Sequence, residues 1–167
     1  AVLYDLHDPI TCARKIAEVL APEGVWVTEQ AYLPTMLQNT SYDTICHEHL
    51  EYYALQQLQY IADKAKLTIV DVAFNDTNGG SFMVALKHTS PHHPTFEALD
   101  FYLNYERLSA CDAPETYGTF AATVAQRRDQ LRKLLQNLPQ KTWGYGASTK
   151  GNVILQYCGL DTDLLGQ

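Results

Sequence analysis

The sequence predicts an α/β chain in which each half carries part of a sheet rather than a whole one. Helical and strand periodicities alternate through residues 8–87. A polar, proline-containing stretch, Thr89-Ser90-Pro91-His92-His93-Pro94, then separates this region from a helical one, and marks a boundary near residue 90. Near the end, an expected strand runs through glycines into a further helix. At 167 residues the chain is long enough for one ordinary domain or for parts of two.

The elements follow in order. Asp8 to Leu20 reads as a helix: Asp8 caps it, Pro9 fits its first position, and Ile10, Ala13, Ile16, Ala17 and Leu20 recur at helical spacing. Gly24 to Ala31 reads as a strand. Tyr32 to Tyr53 is expected to be irregular, and a loop of that length inside a compact domain is usually functional. Leu55 to Lys66 is a second helix. Leu67 to Phe74 and Ser81 to Lys87 are strands joined by the tight connection Asn75–Gly80, which makes them antiparallel neighbours. Helices are expected over Thr95–Leu108 and Pro114–Leu138, a strand over Lys141–Tyr145, a turn at Gly146-Ala147-Ser148 and a helix over Thr149–Tyr157.

Composition narrows the function. With 46% hydrophobic and 19% charged residues the chain is globular, not disordered. Its apolar runs are far shorter than the ~20 residues of a membrane-spanning helix. The start, AVLYDLHDP, has neither the basic region nor the cleavage pattern of a secretory signal, and it lacks an initiator Met, so a cytoplasmic segment of a longer protein is expected. With 12 Lys+Arg against 19 Asp+Glu, a net charge of -7, nucleic acid is not the expected partner, and neither is a membrane. A small anion remains open, because one lysine and one helix N-terminus can hold a phosphate. Cys12, Cys46, Cys111 and Cys158 match neither a metal knuckle nor a disulfide framework, so reduced thiols and no metal site are expected.

Four constellations carry chemistry. In Tyr42-Asp43-Thr44-Ile45-Cys46-His47-Glu48-His49 two histidines flank a glutamate. They stand at i and i+2, not the i and i+4 of a zincin helix, so general acid–base chemistry fits better than metal binding. A pair of surface or hydrogen-bonded histidines is the plain alternative. Asn78-Gly79-Gly80-Ser81 is either a turn needing positive φ or a close backbone approach to a ligand with Asn78 or Ser81 donating. Gly144 to Asn152 runs from strand through glycines into a helix start with Lys150 beside it, either an anion site or an ordinary turn. The polar ending of Trp26–Tyr32 either faces a ligand crevice or merely ends a strand.

Taken together, SYDTICHEHLEYYAL, NDTNGGSF and GYGASTKGNVILQYCG, in this order and across essentially the whole chain, resemble the sugar C-methyltransferases. These enzymes use S-adenosylmethionine to methylate a carbon of a nucleotide-linked keto-sugar. The resemblance implies that residues 1–89 are the back half of a class I methyltransferase domain with a partial Rossmann-like sheet. It implies that residues 90–167 are linker helices and the first strand–helix unit of a second Rossmann-like domain that binds substrate. The resemblance implies that the family's zinc belongs to an N-terminal domain outside this chain, and that the glycine-rich loop after the first strand of the methyltransferase domain, which carries most of the cofactor site, also lies outside it. Cys46 stands where the family often has tyrosine.

The resemblance also implies roles. His49 matches the proposed base, which takes an α-proton to give an enolate that attacks the sulfonium methyl, and Glu48 matches its neighbour, orienting the substrate or the base. His47 and Tyr42 are candidates to stabilise enolate charge. Ser148, Lys150 and Asn152 would hold the nucleotide's phosphates, and Tyr4 would touch the cofactor. Two further readings stay open: a non-catalytic module that binds sugar nucleotides, and an O- or N-methyltransferase on the same scaffold.

Overall fold

The structure, a computed structural model, describes residues 2–92, 96–140, 142–146 and 148–166. It comprises two compact units, Ala1–Asn39 with Leu50–Ala113, and Thr40–His49 with Pro114–Gln167.

The first unit is α/β. Helix α1 (Pro9–Val19) starts as the sequence predicts: Asp8 Oδ1 accepts from Thr11 N at 2.9 Å, and Pro9 needs no partner for an N–H it lacks. That hydrogen bonding holds the Asp8 carboxyl below its ordinary range. Strand β1 (Trp26–Ala31) follows, then α2 (Leu33–Asn39). Helix α2 corrects the expectation of an irregular stretch from Tyr32. Its seven residues bury Leu33, Pro34 and Met36, and it stops at Thr40, whose φ is 56°. The two ends of the expected loop are pinned together, because Tyr32 bridges Tyr53 and Leu33 N donates to Tyr53 O at 2.9 Å.

Helix α3 (Leu55–Lys64) buries Leu55, Leu58, Ile61 and Ala62, each large aliphatic worth about 1.5–3 kcal/mol when fully buried. Strands β2 (Leu67–Asn75) and β3 (Ser81–His88) return as an antiparallel pair, as predicted, and β1 joins the other side of β3, giving the order β1–β3–β2. Rows such as Thr28, Val84 and Val72 share the covered face. A bulge between Ile69 and Asp71 advances β2 by one residue, so Ile69 and Val72 both point inward despite their odd spacing. Helices α1 and α4 (Leu99–Leu108) pack on α3. The opposite sheet face leaves Val27 and Met83 exposed. His93, Pro94 and Thr95, parts of the expected linker and helix, lie outside the described residues.

The Asn75–Gly80 connection is fixed by its glycines. Gly80 has φ +125°, and a Cβ there would lie 2.3 Å from Thr35 Cγ2. Asn78 also takes a positive φ of 55°, and Asn39 Nδ2 donates to Gly79 O at 3.0 Å.

The second unit holds the 3-10 turn Tyr42–Thr44, α5 (Pro114–Gln136) and α6 (Thr149–Cys158). The expected strand at Lys141–Tyr145 does not form as a ladder. Lys141 is outside the described residues, and Thr142 makes a single parallel bridge to Leu165, with Gly166 N donating to Thr142 O at 2.9 Å. A strand needs a neighbour along its length, and Trp143 and Tyr145 instead stand exposed. Of the expected turn, Ala147 is outside the described residues.

Candidate functional site

The second unit places the His-Glu-His segment beside α6. Ser148 caps α6, its Oγ accepting from Gly151 N at 3.2 Å. Gly159 ends the helix in the left-handed region (φ 56°). Arg132 of α5 donates from one nitrogen to the carbonyls of Cys158 and Gly159, at 2.6 and 2.7 Å, and so satisfies C-terminal carbonyls that helix geometry leaves without partners. The Tyr42–Thr44 turn packs on the same helix. Tyr42 Oη lies 3.4 Å from Cys158 Sγ, and its ring is 5.6 Å from that of Tyr157. Burial, then the Cys158 contact, push the Tyr42 phenol well above its ordinary pKa.

A cleft of about 780 Å³ opens along this helix. Ile45, Cys46, His47 and Glu48 line one side. Thr149, Asn152, Val153, Gln156 and Tyr157 line the other, and their spacing is that of one helical face. His47 and Glu48 are solvent-exposed, with Nε2 and Oε1 4.0 Å apart, so their mutual attraction is weak. His49 is half-buried, and its Nδ1 lies 2.8 Å from Thr44 O. A carbonyl only accepts, so Nδ1 carries the hydrogen, and a neutral His49 keeps its lone pair on Nε2.

Sequence candidates are therefore divided. Tyr42, His47, Glu48, His49, Ser148, Lys150 and Asn152 all belong to the second unit, with His47, Glu48 and Asn152 on the cleft itself. Tyr4, Asn78 and Ser81 belong to the first. Tyr4 sits half-buried in the turn Leu3–Asp5, its carbonyl accepting from Leu50 N at 2.8 Å and Glu51 N at 3.2 Å. Asn78 is exposed on its turn. Ser81 is buried, with Oγ donating to Thr77 O at 3.0 Å.

Sequence reasoning missed Gln156 and Tyr157 on the cleft, although their i+4 and i+5 spacing from Asn152 was there to read. It also missed Glu106. This residue is 2% exposed, and its carboxylate accepts from Tyr32 Oη (2.9 Å), Leu55 N (2.6 Å) and Gln56 N (3.1 Å). Its signal was an acid at i+7 from Leu99 and i+3 from Leu103 on the buried stripe of α4. Burial, then the nearby Glu106 charge, push the Tyr32 phenol far above its ordinary pKa.

The four cysteines carry no disulfide. Among the described residues, no three His, Cys, Asp or Glu side chains cluster as a metal site would require, and no helix is long and apolar enough to cross a membrane.

Comparison with known proteins sets this arrangement in a class. Residues 76–167, more than half of the chain, match the family described as the C-methyltransferase C-terminal domain, and the chain belongs to the C-methyltransferase family. Its similarity to one member extends further. It is 33% identical over 163 residues to the C-methyltransferase NovU of Streptomyces niveus, across 96% of this chain and 38% of that protein.

Proposed function

We infer that this chain is the substrate-handling part of an S-adenosylmethionine-dependent C-methyltransferase acting on a nucleotide-linked keto-sugar. The observation that carries the reading is His49, whose Nδ1–H···O=C bond to Thr44 leaves the basic lone pair on Nε2. A keto group acidifies the carbon beside it, and a neutral imidazole held in one tautomer can take that proton. The imidazolium so formed keeps its Nδ1–H bond to the carbonyl. Glu48, exposed next door, orients a sugar hydroxyl, and His47 on the cleft donates toward the developing enolate oxygen. The hydroxyl of Tyr42 meets Cys158, so its part is to seat α6. Lys150 and the N-terminus of α6 hold phosphate.

The domain reading goes with this function: residues 1–89 as the back half of the methyltransferase domain, residues 90–167 as linker and start of the substrate-binding domain. The similarity from residue 76 onward to a C-terminal-domain family is consistent with the second part. When bound, S-adenosylmethionine supplies an electrophilic methyl group. Tyr4 is the one residue assigned to it, and one half-buried side chain does not compose a site for so large a cofactor, so the chemistry assigned to this chain stops at the sugar.

His49→Asn, in an active enzyme carrying this segment, is expected to bind substrate normally and lose turnover by at least about 10²-fold. Near-normal turnover would remove His49 from the mechanism. Product analysis for a new carbon–carbon bond separates C- from O- or N-methylation. A second reading, a non-catalytic sugar-nucleotide module, has one observation in its favour: the cleft is lined wholly from the second unit. Retained substrate binding without exchange of the substrate α-proton in deuterated buffer would favour it.

A further inference from the structure

We propose that the cleft-facing side of α6 reads the nucleobase of the substrate, with Asn152 and Gln156 as the hydrogen-bonding pair and Tyr157 as the wall against which the ring lies. This rests on the nucleotide-linked substrate reading above and assigns a further part of the same site.

Asn152 and Gln156 stand one turn apart and both line the cleft. Both are exposed, and their side-chain amides make no hydrogen bond to another described residue. Each amide offers a donor and an acceptor side by side, the pattern that matches the edge of a heterocyclic base. Water satisfies them in the free protein, so redirecting them to a ligand leaves no buried group without a partner.

Tyr157 is already positioned. The Arg128 guanidinium lies 5.7 Å from its ring centroid, and the Tyr42 ring 5.6 Å away. Arg128 is itself tied to Asp129 at 2.8 Å. A ring held from two sides loses little freedom when a base settles against its exposed part.

The surroundings favour a neutral flat ring over a second anion. The other cleft residues on this side are Thr149 and Val153, and Ile45 faces them. The described lining contains neither Lys nor Arg. The distance along the helix also fits. Eight residues separate Ser148 from Gln156, about 12 Å at 1.5 Å per residue, enough to seat a phosphate at the N-terminus of α6 and a base two turns on. Asn152 is thereby moved from phosphate holding to base reading.

The test titrates the full chain with UDP, dTDP, CDP, ADP, GDP and inorganic pyrophosphate by NMR or calorimetry. The wild type is expected to prefer one base by about tenfold or more, because an unmatched base leaves polar groups unpaired. Asn152→Ala/Gln156→Ala, at exposed helical positions where Ala is well tolerated, is expected to bind all five nucleotides within about threefold of one another. Its pyrophosphate affinity should stay at the wild-type value. An unchanged base preference in the double variant overturns the assignment, as does equal binding of all bases by the wild type. Failure of every nucleotide and of pyrophosphate to bind would overturn the substrate reading itself, and this assignment with it.

Discussion

Replacing Glu106 tests the account of the first unit most severely. Helix α3 begins at Leu55 after Ala54, which has no side chain able to cap it. The missing cap is supplied from α4: Glu106, 2% exposed, accepts from the N–H groups of Leu55 and Gln56 and from the Tyr32 hydroxyl. The helix N-terminus adds a favourable dipole. A hydrogen bond to a charged group is worth about 1.5–3 kcal/mol, and each donor left buried without a partner costs about 1–3 kcal/mol. Glu106→Ala strands three donors at once. Some regain water as the site relaxes, so a loss of about 4 kcal/mol is expected. Glu106→Gln keeps one acceptor and turns an NH₂ toward a donor, for a loss of about 2 kcal/mol. Urea unfolding followed by circular dichroism measures both, provided the slope of the transition is unchanged. Combining each with Tyr32→Phe should show coupling, since the two side chains share a hydrogen bond. An alanine variant within about 0.5 kcal/mol of wild type, the range of inert surface changes, would refute the reasoning.

Three further outcomes are expected. Gly80→Ala should cost about 2–3 kcal/mol in the same unfolding assay, because it combines a strained φ with a Cβ 2.3 Å from Thr35 Cγ2, and Thr35→Ser should recover part of the loss. Burial first of all raises the phenol pKa values of Tyr32, Tyr42 and Tyr53 above their ordinary 10.0, so the unfolded chain releases protons first as pH rises. Stability should therefore be intact below pH 10.0 and fall above it, and Tyr53→Phe should flatten that fall in unfolding midpoints measured across the range. If the proposed nucleotide-sugar reading holds, Lys150→Ala, in an active enzyme carrying this segment, should raise the Michaelis constant for that substrate roughly 10- to 150-fold and leave S-adenosylmethionine affinity unchanged. Substrate titrations at two salt concentrations check this, since a charge contact weakens with screening.

Local signals made much of the fold legible. Asp8-Pro9 starts α1 and Ser148 starts α6 because capping needs only one side chain and its own first turn. The β2–β3 hairpin is legible from its glycines. Helix α2 is not, because seven residues with a proline carry little periodicity and owe their helix to burial of Leu33 and Met36. The strand expected at 141–145 has the composition of one, but composition cannot supply the neighbour a ladder needs. At the site, the His-Glu-His segment and the α6 start are both legible from residue types. Their convergence on one cleft is not, since nearly a hundred residues of chain separate them. Glu106 is hidden for the same reason: the packing of α4 on α3 brings it to Leu55, and Tyr32 reaches it from the junction of β1 and α2.

The position of β1 in the sheet has a consequence for handling the protein. Among the described residues β1 pairs with β3 alone, so its other side offers a row of amide and carbonyl groups to solvent. Val25 and Val27 stand exposed beside that row, and the strand carries one acid, Glu29, and no lysine. Such an edge recruits a strand from another chain. At high concentration this polypeptide should self-associate through residues 25–31. A Val27→Lys substitution places a charge on that edge and should keep concentrated samples monodisperse by light scattering, at a position that does not line the cleft along α6.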